Sequence, residues 1–360
     1  MKFNKAKVLT AVLFTAVLPF SDLWAEDRYN QNLDAEHRFG EMQNAFKSSN
    51  FELYFVKQSM ATSEPISFSH GVVDNRQYSH WLYLNGVPMG YFSAEGIMAY
   101  FKAGSQPELV EGGMHPFLIG RFNTLSPERI YGNYVPVITG RNRIAGRNVI
   151  MIRLSPKKND RYGYVLYVDE LTNVLLQIDV VNPVDGKMVE SYMATHFVYT
   201  DEPNRIIMNI SEAYLKNSES SEKASEDAAE DSEDKEKSGD ESASAGDGSD
   251  EKPVRESGVR NTLDWKLSYV PVGYELVKCE KNYVAELDID VEHLLYTDGL
   301  SDVSVYRIKA LEGNEFPVVK QGTTNMFRYR IEPYEIVVVG DIMMETEKNM
   351  AESYRENDKK

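Results

Sequence analysis

The stretch from Val174 to Phe197, "VLLQIDVVNPVDGKMVESYMATHF", contains two runs rich in apolar residues that flank a short polar segment. The segment Pro183-Val184-Asp185-Gly186 supplies the residue types that favour tight turns. Two apolar runs separated by such a segment are typical of a β-hairpin. The stretch therefore predicts two antiparallel strands.

The same pattern extends outward through the first half of the chain. A helix is predicted first, because Ala35, Phe39, Met42 and Phe46 recur at helical spacing. Short strand-like runs separated by Gly, Asn, Asp and Pro then follow, namely "NFELYFVK", "HWLYLNG", "PMGYFSAEG", "IMAYFK", "RNVIMIRLS" and "RYGYVLYVDE". Many strands with few helices predict an antiparallel sheet with one face to be covered.

Bulky aromatic residues occur at both odd and even positions of these strands, so they point to both faces of the sheet. An ordinary β-sandwich requires large apolar side chains on one face only. A strongly curved sheet with a helix in its hollow would leave some of them lining an apolar groove. Core packing is the alternative for each residue taken singly. The candidate groove residues are Trp81, Tyr83, Tyr91, Phe92, Tyr100, Phe101 and Tyr164.

The net charge of −17 is concentrated in one segment. Residues 217–258 contain fifteen Asp or Glu and five Lys or Arg, a net of 5 − 15 = −10, and no aromatic residue. Such a composition predicts a disordered linker. The predicted division is a signal peptide at 1–25, a large domain at 26–216, the linker at 217–258 and a small α+β domain at 259–360.

The N-terminus has the layout of a secretory signal peptide: three early lysines, the apolar run "VLTAVLFTAVLPF" and a cleavage position after Ala25. The single cysteine, Cys279, excludes an intramolecular disulfide. The predicted location is the periplasm. The acidic balance argues against a nucleic-acid partner.

No pattern in the sequence predicts a catalytic, metal or cofactor site. The six histidines are scattered singly, and no serine-hydrolase or nucleotide-binding motif is present. The stretch "LLYTDGLSDVSVYR" from Leu294 to Arg307 is predicted to be a hairpin whose corner needs Asp298-Gly299. With Tyr296 and Leu300 beside that corner, the hairpin is a candidate exposed contact tip for a partner.

Several segments, in order along the chain, resemble the RseB/MucB family. They include "SHGVVDNRQYSHWLYLNG", "PERIYGNYVPVITGRNRIAGRNVIMIRL", "DWKLSYVPVGYELV" and "YTDGLSDVSVY". The long acidic linker departs from the family pattern. The resemblance implies a large domain similar to LolA and LolB, an unclosed antiparallel β half-barrel plugged by helices, and a smaller α+β C-terminal domain.

The resemblance also implies a function without catalysis. Family members regulate sigma-E by binding the periplasmic region of the anti-sigma factor RseA and shielding it from the protease DegS. Lipopolysaccharide or lipoprotein acyl chains are the expected releasing ligands, and Arg141, Arg143 and Arg147 are candidate contacts for anionic lipid. A periplasmic lipid or lipoprotein carrier is the alternative, and the sequence leaves a homo-oligomer open.

Overall fold

The computed structural model describes residues 20–110, 115–216, 260–284, 289–310 and 322–357. Eleven antiparallel strands form one sheet in the order β6-β5-β4-β3-β2-β1-β11-β10-β9-β8-β7. Its ends, β6 and β7, do not pair with each other, so the sheet is unclosed. The strands are β1 (Asn50–Ser59), β2 (Ser63–Val73), β3 (Arg76–Tyr83), β4 (Met89–Ala94), β5 (Ile97–Lys102), β6 (Glu108–Leu109), β7 (Tyr134–Ile144), β8 (Arg147–Pro156), β9 (Gly163–Asp169), β10 (Leu175–Val181) and β11 (Met188–Thr200).

The hairpin predicted from Val174 to Phe197 is confirmed. Strands β10 and β11 pair antiparallel, and Val181 lies opposite Met188 at the turn. Gly186 has a φ of 70°, a backbone conformation that glycine adopts without steric cost. Local turn chemistry therefore sets the register of the two central strands.

Helices cover the inner face of this sheet, because the apolar side chains on that face must be shielded from water. They are α1 (Phe20–Ser48), α2 (Leu118–Thr124) and α3 (Pro127–Asn133). The predicted helix face is confirmed, because Ala35, Phe39 and Met42 are fully buried and Phe46 nearly so. Each buried Phe or Met side chain contributes about 1.5–3 kcal/mol relative to exposure.

A fourth helix, α4 (205–216), covers part of the outer face. Its Ile207 is fully buried and forms a small cluster with Tyr78 of β3 and Ala94 of β4. The sequence reading did not include this helix. The sheet is thus covered on both faces around β3 and β4, which explains why aromatic residues occur there on both parities.

The second unit has its own core and two small sheets. Strands β13 (Glu275–Val284), β14 (Ile289–Thr297), β15 (Asp302–Lys309), β16 (Asn325–Ile331) and β17 (Tyr334–Gly340) form a sheet in the order β13-β14-β15-β17-β16. Strand β12 (Trp265–Leu267) pairs with β18 (Tyr354–Glu356), and helix α5 (Met344–Glu352) packs on β16 and β17. The predicted α+β class, with an unclosed sheet and a smaller second unit, is confirmed.

Two predicted segments lie wholly or partly outside the described residues. The acidic linker at 217–258 is outside them, as are residues 1–19 of the signal peptide. The position predicted for cleavage, after Ala25, falls within α1. Among the described helices, none has the length and apolarity that a membrane crossing requires.

Candidate partner-binding surface

Two cavities lie on opposite faces of the sheet near its β6 edge. The inner cavity has a volume of about 650 Å³, and the outer cavity, roofed by α4, has about 740 Å³. Both volumes fall in the range of ligand-binding sites. Ile97 and Leu109 line both cavities, so these two residues separate them.

The inner cavity is lined by two histidines, of which His70 is buried and His115 is half-buried. His70 Nε2 lies 2.6 Å from the carbonyl oxygen of Phe46 and must donate to it, and His70 Nδ1 lies 2.9 Å from Ser79 Oγ. Burial lowers the pKa of His70 to about 4 and that of His115 to about 3. Both rings are therefore neutral at pH 7 and contribute polar but uncharged groups to the wall of the cavity.

Two of the candidate groove residues belong to the core instead. Trp81 is fully buried, with Phe68 stacked on one side at 3.6 Å and Phe117 at 4.3 Å between ring centroids. Tyr164 is buried against Phe122 and Tyr134. The expectation that Trp81 and Tyr164 line an open groove is wrong, because helices α2 and α3 and the segment before them close over these positions.

The other five candidates divide between the two faces. Tyr83, Tyr91 and Tyr100 are half-buried on the inner face, where Tyr91 lies 5.4 Å from Tyr100 between ring centroids. Burial raises the pKa of Tyr83 to about 12, so its hydroxyl stays protonated. Phe92 and Phe101 line the outer cavity. Of the seven candidates, only Phe92 and Phe101 therefore line one of the two cavities.

The three candidate arginines do not form one free cationic patch. Arg147 donates two hydrogen bonds of 2.7 Å to the buried carboxylate of Asp169. Arg141 donates to Glu170 at 2.5 Å, and Arg143 is exposed in the same turn region. Since Arg147 neutralises a buried acid, it is engaged structurally, whereas Arg141 and Arg143 face solvent.

The corner of the β14–β15 hairpin is buried against the large unit. Arg161, which precedes β9, donates from Nη1 to Asp298 Oδ2 at 2.9 Å, from Nε to Asp160 at 2.8 Å and from Nη2 to the carbonyl of Val272 at 2.5 Å. Its guanidinium also lies 4.9 Å from the ring centroid of Tyr274. Asp298 and Arg161 are 1% and 3% exposed, so this ion pair is fully desolvated.

A second arginine holds the other side of the same corner. Arg121 of α2 donates to the carbonyl of Leu300 at 2.9 Å and to Asp302 at 3.0 Å. Leu300 is 1% exposed and packs in the core of the large unit, and a Cβ on Gly299 would lie 2.5 Å from Leu125. The hairpin is confirmed, but the expected exposed tip at Tyr296, Asp298, Gly299 and Leu300 is wrong. The large unit covers Asp298, Gly299 and Leu300, and Tyr296 packs in the core of the small unit.

This junction fixes the two units to each other through several elements. Asn325 donates to the hydroxyl of Tyr162 at 3.1 Å, and Thr346 donates to the carbonyl of Asp160 at 2.8 Å. Arg161 and Arg121 were missed by the sequence reading. A lone arginine before a predicted strand carries no local signal of a partner 137 residues away.

Comparison with known proteins agrees with this two-unit architecture. The model of the MucB/RseB N-terminal domain matches residues 34–218, and that of the MucB/RseB C-terminal domain matches residues 259–355. The sigma-E factor regulatory protein RseB of Haemophilus influenzae is 22% identical over 95% of this chain and 97% of its own length. The sigma factor AlgU regulatory protein MucB of Pseudomonas aeruginosa is 21% identical over 90% of this chain and 92% of its own.

Solved structures show the same fold. The complex of Pseudomonas aeruginosa MucA and MucB matches with a TM-score of 0.65 at 19% identity, over 91% of this chain and 100% of that one. MucB in complex with the periplasmic part of MucA matches with a TM-score of 0.62. Because the two family models together cover most of the sequence, this chain belongs to the MucB/RseB family.

Proposed function

We propose that this chain is a periplasmic negative regulator of the sigma-E envelope-stress response. It binds the periplasmic region of the anti-sigma factor RseA and shields that region from DegS. The curated relatives are sigma-factor regulatory proteins, and solved structures of MucB include complexes with MucA. The chain acts by binding and performs no catalysis.

The observation that carries this proposal is the presence of both family domains joined through a buried junction. Arg161 and Asp298 tie the two units together, and Leu300 of one unit packs in the core of the other. A partner tail that contacts both units would meet them in a fixed relative position. Preorganisation of this kind reduces the ordering cost of binding.

Release follows from competition between the partner and an amphiphile. The inner cavity of about 650 Å³ is the proposed site for an acyl chain of lipopolysaccharide or lipoprotein. An amphiphile that binds the RseA-free state of this chain more tightly than the RseA-bound state lowers the fraction of RseA that is bound. The size of this effect is set by the difference between its affinities for the two states. A lipid or lipoprotein carrier remains the second candidate, and the two apolar cavities are the observation that favours it.

Arg141 and Arg143 are the proposed contacts for lipid phosphates. Both are exposed, and Arg141 pairs at the surface with Glu170, whereas Arg147 is held by the buried Asp169. Changing Arg141 and Arg143 to Gln is expected to raise the lipopolysaccharide concentration needed for half-release of RseA several-fold. Unchanged release would remove the two arginines from the mechanism, and Lys281→Gln in the small unit is the control for a loss of charge elsewhere.

Binding of a labelled RseA periplasmic domain to the full chain tests the proposal. Fluorescence anisotropy is expected to show saturable binding, and lipopolysaccharide is expected to reverse it. A regulator should bind this one partner tightly, whereas a carrier should bind lipoproteins of unrelated sequence through their acyl chains. No binding of RseA at micromolar concentrations would contradict the proposed function.

The proposed setting is the periplasm, reached through the signal peptide at 1–25. The acidic linker at 217–258 connects the two domains, 26–216 and 259–360, while the junction holds them together. The described contacts of the junction are all made by residues outside 217–258, so shortening the linker is expected to leave RseA binding unchanged. The same anisotropy measurement on a shortened chain checks this.

A further inference from the structure

Glu347 is a completely buried carboxyl at the border between the two units. It lies in α5, one turn after Met343, which packs against the core of the large unit, and one turn before Met350 in the core of the small unit. The preceding residue, Thr346, donates a hydrogen bond to the carbonyl of Asp160 in the large unit at 2.8 Å. Glu347 is therefore buried where α5 rests on the large unit.

The surroundings of Glu347 favour its protonated form. Within the described residues no hydrogen bond of ordinary geometry reaches either of its carboxyl oxygens. Burial outweighs the opposing effect of the Gly340 backbone N–H and raises the pKa of Glu347 to about 9. Asp341 raises this pKa further, and Tyr162 of the large unit also interacts with Glu347 electrostatically. An ionised Glu347 would be a buried and uncompensated carboxylate, which is strongly unfavourable.

The large unit contributes a second buried carboxyl to the same region. Glu190 of β11 is buried, and it lines a small cavity of about 30 Å³ together with Asp341 and Tyr162. Burial raises the pKa of Glu190. The ionisable groups that act on Glu190 are Lys57, Tyr192, Asp341 and Glu64, and of these only Lys57, at 4.0 Å, is a cation. Carboxyls of the two units therefore face each other, and the repulsion between them grows as they lose protons.

The two arginines at the centre of the junction are already paired with other acids. Arg121 donates to Asp302 at 3.0 Å, and Arg161 donates to Asp298 at 2.9 Å. Their charges offset Asp302 and Asp298, so they are not available to stabilise an ionised Glu347.

We propose that the junction is a proton-dependent latch: Glu347 carries a proton while α5 rests on the large unit, and its ionisation releases the two units from each other. The closed junction keeps this proton up to a higher pH than the open one, so closing is favoured at low pH. The stability of the closed state is complete below pH 4.5 and falls as pH rises toward 9. This inference goes beyond the proposed function, because it holds whether or not RseA is the partner.

The reactivity of a thiol placed at the junction measures this equilibrium in the full chain. Thr346→Cys, combined with Cys279→Ser to remove the native thiol, places the thiol at a site that is 3% exposed. The rate of its reaction with iodoacetamide is compared with the rate in the urea-unfolded chain at the same pH, which corrects for the titration of the thiol itself. The resulting protection factor is expected to fall about fiftyfold between pH 7 and pH 9.

Two substitutions in α5 separate Glu347 from the other titrating groups. Glu347→Gln should keep the protection factor within about threefold over the same pH range, because glutamine does not ionise. Glu345→Gln is the matched control, since Glu345 is exposed on the same helix, and it should follow the parent profile. The same pH profile in the parent and in Glu347→Gln would overturn the proposal. So would a parent profile that does not change with pH, a result that needs no variant of Glu347.

Two further thiol sites distinguish release of the units from other motions. Ser301→Cys, at the buried corner of the β14–β15 hairpin, should lose protection in parallel with Thr346→Cys. A loss at Thr346→Cys alone would mean that α5 frays without releasing the units, and would overturn the latch. Ala194→Cys, in the core of the large unit, should stay at least tenfold more protected than Thr346→Cys. Equal protection at these two sites would mean that the junction opens only when the chain unfolds, which contradicts the proposal.

Discussion

Two leucines of the chain lie in opposite surroundings in the structure. The corner at Leu300 is buried at the junction between the units, whereas Leu109 at the β6 edge is 73% exposed. Each leucine follows a short segment that contains an acidic residue, Asp298 or Glu108, and the neighbouring sequence does not predict which of the two is buried. An apolar side chain near a turn can therefore be covered by a distant part of the same chain, whereas at β6 none of the described residues covers the exposed Leu109.

The largest effect is expected at the buried ion pair of the junction. Asp298→Ala leaves the desolvated Arg161 with Asp160 as its remaining acid, and should lower the free energy of unfolding by about 3–5 kcal/mol. Urea denaturation followed by tyrosine and tryptophan fluorescence measures this. Asp290→Ala, at an exposed cross-strand pair with Lys281, is the control and should leave the midpoint unchanged. If Asp298→Ala changed the midpoint as little as Asp290→Ala does, the buried ion pair would not hold the two units together.

The two leucines give the next test when they are shortened in parallel. Leu300→Ala removes a side chain packed in the core of the large unit and should cost about 2–5 kcal/mol. Leu109→Ala should change stability by less than about 0.5 kcal/mol, since the side chain is already exposed. Thermal and urea denaturation of both variants supply the numbers. Similar losses from the two changes would erase the contrast between junction and edge.

A pH dependence is expected from Glu347, which α5 buries completely beside the junction. Burial raises the pKa of this carboxyl to about 9, far above the value of an unfolded glutamate. Below the unfolded pKa of 4.5 the carboxyl is protonated in both states, and its burial costs no ionisation energy. As pH rises from 4.5 toward 9 the unfolded chain ionises first, so the free energy of unfolding falls. Between pH 7 and pH 9 the chain should lose up to about 2 kcal/mol.

Glu347→Gln isolates that contribution from the other titrating groups. The variant should show a flatter stability profile between pH 7 and pH 9, because glutamine does not ionise. His70 and His115 do not interfere in this range, since their pKa values lie near 4 and 3 in the folded chain. Parallel profiles for the variant and the parent, from urea denaturation at each pH, would show that Glu347 is not the source.

The smallest effect is expected at the rim of the junction. Arg129 donates to Glu275 at 3.1 Å across the two units, but the glutamate is 70% exposed. Glu275→Gln should therefore cost about 0–1 kcal/mol, less than Asp298→Ala by a wide margin. The same urea experiment measures it. A loss as large as that at Asp298 would mean that the rim, rather than the buried centre, holds the units together.

The sequence was sufficient for the parts of the fold that depend on local pattern. The face of α1 at Ala35, Phe39 and Met42 follows from helical spacing, and the β10–β11 hairpin follows from its turn residues. The β14–β15 hairpin was also predicted from its turn residues, Asp298 and Gly299. These predictions succeeded because the information lies within a few residues along the chain.

The site could be predicted only in part, because its contacts are long-range. Arg161 and Asp298 are 137 residues apart, and no spacing rule connects them. Trp81 and Tyr164 were expected at a groove, yet α2, α3 and the segment before them bury both. Helix α4 covers the outer face and makes the outer cavity that Phe92 and Phe101 line, and no pattern within the strands predicts that this helix packs there.

The central claim is that two rigidly joined units cover a partner's cleavable tail. The most direct measurement is the rate at which DegS cuts the RseA periplasmic domain with and without a saturating amount of this chain. The account predicts at least a tenfold slower cut in its presence, and partial recovery with Asp298→Ala, whose junction is weakened. An RseA tail that is cut at one rate under all three conditions would contradict it.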